Sequence, residues 1–148
     1  MGEAEAGLVE AEYWRVLECC VKQGSGGGLI RDELGNWVVG FTRKLGRMNS
    51  FTAEVWALRD GLLLCHQMNI PAIIVELDAK ALVDAISNPR YSNTVISPIF
   101  YDCKCLLSQI PQVRIKHIFR EANKCANRLA NFAHSQDLGI FFLKNNKY

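Results

Sequence analysis

Two carboxylates stand where an α/β protein can put acids to work. The run Ile73-Ile74-Val75-Glu76-Leu77 is short and β-prone, Asp78 follows at once, and Ala79 to Ser87 then reads as an amphipathic helix. The carboxyl end of a buried strand is the edge of an open sheet where ligands usually bind, which makes Asp78 a candidate metal ligand. Asp is also a preferred helix N-cap, its side-chain oxygen accepting a backbone N–H of the first turn. The local spacing leaves both readings open. Glu54 is the second acid: with Asn49 or Ser50 as cap it falls in the first turn of a helix, where a negative charge also complements the helix dipole.

Other chemistry-bearing residue types point to less. The six cysteines, Cys19, Cys20, Cys65, Cys103, Cys105 and Cys125, form no CxxC pair, and several lie in apolar periodic segments. They read as reduced core thiols in a reducing compartment. Gly24-Ser25-Gly26-Gly27-Gly28 permits a tight turn or a close backbone approach, but matches neither a dinucleotide fingerprint nor a P-loop. Net charge is only +2, yet it is uneven: residues 1–30 balance at −3 and residues 104–148 at +6. A basic last third suits a polyanion, although a charge run is more often a solvated face.

The elements that must position these residues follow from length and periodicity. With 148 residues, 49% hydrophobic and 22% charged, the chain suits one globular domain that buries a real core. We expect an unmatched extension over 1–12, a domain over 13–135 and a tail over 136–148 that no pattern places. No apolar run reaches the roughly 18 residues that span a bilayer, and residues 1–6 carry neither a signal sequence nor a myristoylation site. The expectation is an intracellular protein of cytoplasm or nucleus, without membrane contact. Tyr13 to Val21 is a weak strand; Gly28 to Arg31 and Trp37 to Thr42 flank the turn residues Asp32 to Asn36 and predict a hairpin. Ser50 to Met68 has a helical stripe with Ala53, Ala57 and Gly61 on a side that must pack close to a sheet. Ala72 to Leu77 follows as a parallel strand, Pro98 to Ile110 as a helix, and Val113 to Ile118 alternates with Arg114 and Lys116 outward. A last helix begins near Glu121 with Asn123, Asn127 and Asn131 in a row beside its apolar stripe.

This β-β-β-α-β-α-α-β-α order, with GGLIRDELGNWVVGF (27–41), FTAEVWALRDGL (51–62), VELDAKALVDAI (75–86) and VRIKHIFREANKCANRLA (113–130), resembles the ribonuclease H type 1 superfamily. The likeness is greatest to the retroelement-derived, reverse-transcriptase-associated domains of plants. It implies an α/β ribonuclease H-like fold: a five-stranded mixed sheet, three antiparallel strands then parallel crossovers, flanked by helices. It also implies Mg²⁺ or Mn²⁺ as cofactor, two ions held by four carboxylates that hydrolyse the RNA strand of an RNA–DNA hybrid. Glu54 and Asp78 match two of those carboxylates and are the implied metal ligands. Lys116, Arg120 and Asn123 are the implied contacts to an RNA–DNA hybrid or double-stranded RNA. His117, ten residues before Asn127, has the spacing of a mobile catalytic histidine but also fits the strand pattern.

Two departures weigh against full activity. Asn127 replaces the family's last aspartate, and no Asp precedes Asp32 to supply the first-strand one. Glu18 is the nearest upstream acid, but its spacing and neighbours do not match. A carboxylate about 4 Å from a unit positive charge gains roughly 4 kcal/mol at an effective dielectric of 20, and a millimolar site is held by about the same total. Losing two of four carboxylates should therefore leave the metal site at low occupancy. The sequence thus predicts a nucleic-acid-binding ribonuclease H-like domain with nuclease activity weakened or lost. Its alternative is a structural or protein-interaction remnant of a retroelement, with no nucleic-acid binding.

Overall fold

A computed structural model describes residues 13–22, 24–90, 97–119 and 139–144. The elements are β1 (Arg15–Lys22), β2 (Ser25–Arg31), β3 (Trp37–Lys44), α1 (Ser50–Gln67), β4 (Ala72–Leu77), α2 (Lys80–Ser87), α3 (Ser97–Gln109), β5 (Gln112–His117) and β6 (Gly139–Lys144). They build one sheet in the order β5-β4-β1-β2-β3-β6. β1, β2 and β3 form an antiparallel meander, while β4 and β5 join β1 in parallel. This is the predicted five-stranded arrangement. A sixth strand, β6, extends it antiparallel along β3, so that part of the unplaced tail closes the outer edge of the meander.

The β2–β3 turn is organised by Asp32, whose Oδ1 accepts the backbone N–H groups of Leu34 and Asn36 at 2.9 and 2.8 Å. That side-chain turn lets the chain reverse without a tight two-residue hairpin. Gly28 is in β2 rather than in a turn, and its lack of a side chain lets Phe41 cross the sheet. A Cβ there would lie 2.3 Å from the Phe41 ring.

α1 lies on one face of β1 and β2 and packs against α3. Asn49 caps it, its side chain accepting the Thr52 N–H at 2.8 Å. The predicted small-residue side is real: Ala53 and Ala57 are buried, and a Cβ on Gly61 would meet Leu17 at 2.7 Å. Leu17, Phe41, Leu58, Leu62, Ile73 and Val75 form the centre of the core. Asp60, also buried on α1, is met by Arg43 at 2.5 and 3.0 Å and by Arg59 at 3.4 Å. Both guanidiniums lie over the Trp56 ring. Burial nevertheless pushes the Asp60 carboxyl above its ordinary value, against the pull of Arg43.

Two local expectations change. α2 begins at Lys80 with Ala79 as its cap residue, and no side chain makes a capping bond. Glu54 lies beyond the first turn of α1, which holds no acid. Among the described residues no helix is long and apolar enough to cross a membrane. The extension over 1–12, most of the polar loop at 91–97 and the last predicted helix fall outside the described residues.

Candidate functional site

β4 delivers Asp78 to the carboxyl edge of the sheet, and β1 runs parallel beside it with Cys19 opposite Leu77. The next β1 residue, Cys20, donates its thiol to Asp78 Oδ2 at 3.5 Å. α1 closes the recess from the core side, with Cys19 Sγ 3.9 Å from the Ala57 carbonyl and Glu54 one turn earlier on the same helix. Leu82 of α2 completes the lining. Sheet edge and helix thus bring Asp78 and Glu54 to the lining of one recess. Both acids are half-buried, and the recess they line is a shallow one.

Asp78 does not cap α2. Its carboxylate turns to Cys20, and its backbone carbonyl lies 3.3 Å from His117 Nε2. A residue that leaves a helix start uncapped in order to meet a neighbouring strand has its position set by the sheet. His117 is the last residue of β5, exposed, and meets the Phe119 ring edge-on at 5.6 Å between centroids. It is therefore a strand-end histidine beside Asp78. Lys116 pairs in register with Glu76, which in turn pairs with Glu18. Adjacent strand residues face opposite ways, so Lys116 stands on the other face of the sheet from His117. Arg114, on that same face, stacks on Trp14 at 4.5 Å.

The remaining question is what β1 offers in place of a carboxylate. Glu18 is the only acid in residues 13–22, and it is 1% exposed. It does not join the recess. Arg31 of β2 holds Glu18 Oε1 at 3.0 Å and Glu76 Oε1 at 2.9 Å, bridging two acids on the face opposite α1. The recess receives the thiols of Cys19 and Cys20 instead. Burial pushes the Cys19 thiol well above its ordinary range, and the nearby Cys65, Cys103, Cys20 and Asp78 push the same way. It is held as a neutral thiol, not as an anionic donor.

Among the described residues the recess supplies fewer oxygen ligands than a pair of hard divalent cations takes. Mg²⁺ takes oxygen ligands in near-octahedral geometry and usually keeps several waters, whereas β1 brings two sulfur atoms to the recess beside the carboxylates of Glu54 and Asp78. Among the described residues no group of three or more His, Cys, Asp or Glu is arranged to hold a metal. Arg120, Asn123 and Asn127 lie outside the described residues. Sequence inspection missed the part played by Cys19, Cys20 and Arg31. The available signal was parity: in Glu18-Cys19-Cys20 the acid and the first thiol must face opposite sides of a strand.

A search of protein families matches residues 16–133 to the reverse transcriptase-like family. A protein of Arabidopsis thaliana named among the ribonuclease H proteins is 34% identical over 116 residues, which is 78% of this chain and 19% of that one. The chain therefore spans about a fifth of that relative. The N-terminal RNase H domain of a Mycobacterium tuberculosis protein superposes with a TM-score of 0.75 at 20% identity, covering 83% of this chain and 94% of that domain. RNase H1 of the archaeon Halobacterium salinarum gives 0.71 at 19% identity, covering 82% and 96%. LC11-RNase H1, solved with an RNA/DNA hybrid, gives 0.70 at 20% identity, also covering 82% and 96%.

Proposed function

The chain belongs to the reverse transcriptase-like family as an RNase H-like domain, and from that premise we propose that it binds RNA–DNA hybrids while hydrolysing the RNA strand weakly or not at all. One observation carries this reading: β1 brings Cys19 and Cys20 to the recess of Asp78 and Glu54, while Glu18 lies outside it in an ion pair with Arg31. Hydrolysis of a phosphodiester by this fold requires paired cations that activate water and stabilise the leaving oxygen. Glu54 and Asp78 can still offer oxygen to one hard cation that a bound phosphate helps to hold. They do not replace a four-carboxylate centre, and Asn127 would add a neutral amide in place of a fourth charge.

Binding rests on different residues. Lys116 and Arg114 are exposed on β5, and with Arg120 and Asn123 they supply positive charge and amide donors for phosphates and 2′-hydroxyls. Double-stranded RNA shares those 2′-hydroxyls and is a second substrate for binding. The reading is consistent with a protein of cytoplasm or nucleus. His117 lies with Nε2 3.3 Å from the Asp78 carbonyl, beside the proposed nucleic-acid path.

The test is to titrate a labelled RNA–DNA hybrid at low and moderate salt and incubate the same complex with Mg²⁺ and with Mn²⁺. The expected result is salt-dependent binding, weakened about uniformly across sequences by Lys116→Ala, with cleavage at background in the wild type and in Asp78→Asn. Brisk cleavage abolished by Asp78→Asn would overturn the proposed loss of activity. No binding at low salt would overturn the nucleic-acid reading in favour of a structural remnant.

A further inference from the structure

The opposite end of the sheet carries a second concave feature. α1 and α3 both stop in an amide-Ile-Pro corner, Asn69-Ile70-Pro71 and Gln109-Ile110-Pro111, and each corner feeds directly into a strand, β4 or β5. Because those strands are parallel neighbours, with Ala72 opposite Gln112 and the Gln112 N–H bonded to the Pro71 carbonyl at 3.0 Å, the two corners lie side by side. Between them is a pocket of about 230 Å³. It opens at the amino ends of β4 and β5, whereas Asp78 and His117 mark their carboxyl ends. A six-residue strand at roughly 3.3 Å per residue separates the two sites by about 20 Å.

The lining is specific in kind. Ile70 and Ile110 are 7% and 5% exposed and form an apolar floor. The exposed Pro71 and Pro111 present rigid rings, and the exposed side chains of His66, Asn69 and Gln109 complete the lining. The two carboxamides each carry a donor and an acceptor, and a neutral imidazole carries one of each. No Lys, Arg, Asp or Glu is among the lining residues, so a phosphate or carboxylate meets no counter-charge. Drug-sized ligands occupy pockets of about 300–1,000 Å³; this one is smaller and suits a single ring system. Apolar walls lined by two carboxamides suit a planar heterocycle with an amide-like edge.

We propose that the paired Ile-Pro corners form a binding pocket for one uncharged nucleobase-type heterocycle, supplied either by a free nucleoside or by an unpaired base of a nucleic acid. The carboxamides of Asn69 and Gln109 read the edge of the ring, and its faces rest on the prolyl and isoleucyl side chains. Asn69 sits at φ 55°, in the left-handed region, and its N–H bonds to the His66 carbonyl at 3.1 Å. The backbone of the corner is thus fixed at this residue. Glycine tolerates the same conformation, so Asn69→Gly removes the amide and leaves the corner intact.

The experiment is a ¹H–¹⁵N NMR titration of the full chain, following backbone and side-chain amide signals, with adenosine, guanosine, cytidine and uridine, and with single-stranded oligonucleotides of matching base. At least one nucleoside should give saturable shifts centred on Asn69, Ile70, Gln109 and Ile110, with Kd on the order of 1 mM for so few contacting atoms. Asn69→Gly and Gln109→Ala, each checked for an otherwise unchanged spectrum, should weaken that binding about tenfold. An oligonucleotide that shifts the same signals at least tenfold more tightly, and is equally sensitive to both variants, would assign the base to a nucleic acid; the nucleoside alone would assign it to the free form. Absence of saturable shifts from every probe at 10 times that concentration, or binding indifferent to both variants, would overturn the proposal. So would equal binding of toluene. Lys116→Ala should leave the nucleoside shifts unchanged, because a nucleoside carries no phosphate, which separates failure here from failure of hybrid binding.

Discussion

The two faces of β1 treat their polar residues in opposite ways. On one face Glu18 is buried and held by Arg31, which also reaches Glu76. On the other, beside α1, Cys19 is a buried neutral thiol against the Ala57 carbonyl. The difference is one of parity rather than composition. A strand turns each successive side chain over, so an acid at 18 belongs to the Arg31 face, and moving it by one residue would transfer it to the α1 face. The acid nearest in sequence to a missing ligand is thus committed to a structural ion pair across the sheet.

Removing the guanidinium attacks the first face directly and should have the largest effect. Arg31→Ala strands a carboxylate that is 1% exposed and should lower stability by about 3 kcal/mol, the lower part of the range for breaking a buried pair because Arg31 is itself 27% exposed. Urea denaturation would check this. Adding Glu18→Gln to Arg31→Ala should recover more than about 1 kcal/mol by removing the stranded charge. A loss under about 1 kcal/mol for Arg31→Ala would break the comparison.

The thiol side should show itself at high pH. Burial raises Cys65 and Cys103 from 9.0 to about 12. The folded values lie above the unfolded ones, so their contribution is fully present below pH 9. Above it the unfolded chain releases thiol protons that the folded chain retains, and stability falls by about 1 kcal/mol per thiol for each pH unit up to about 12. Denaturation at pH 8 and pH 10 should show that fall, and it should shrink in Cys103→Ala. The same thiols should resist a thiol reagent at pH 8 until the protein unfolds.

Helix starts give a smaller contrast between the two acids' neighbourhoods. Asn49→Ala should cost about 1 kcal/mol, because Asn49 accepts the Thr52 N–H. Asp78→Ala should change stability by less than about 0.5 kcal/mol, because α2 is not capped by it. Equal losses in thermal melts would restore Asp78 as a cap.

Much of this was legible beforehand. The turn chemistry of Asp32 to Asn36, the small residues on α1 and the apolar run into Asp78 each specify structure locally. The rest depends on partners. Arg15–Lys22 does not alternate cleanly, so which face holds Glu18 emerges only when Arg31 and Glu76 are placed beside it. Asp78 looks like a cap because Asp usually caps; the parallel pairing of β1 with β4 is what turns it toward Cys20. The tail was unreadable because Gly139–Lys144 is a short mixed run whose strand character comes from pairing with β3.

The claim that β1 lacks the carboxylate of a working centre is most directly tested by titrating Mn²⁺ into the wild type and into Cys20→Asp, following bound metal by electron paramagnetic resonance. The account expects the wild type to bind with Kd no tighter than about 1 mM, and Cys20→Asp, which puts an acid beside Asp78, to bind at least tenfold tighter. Micromolar binding by the wild type, unchanged or weakened by Cys20→Asp, would contradict it.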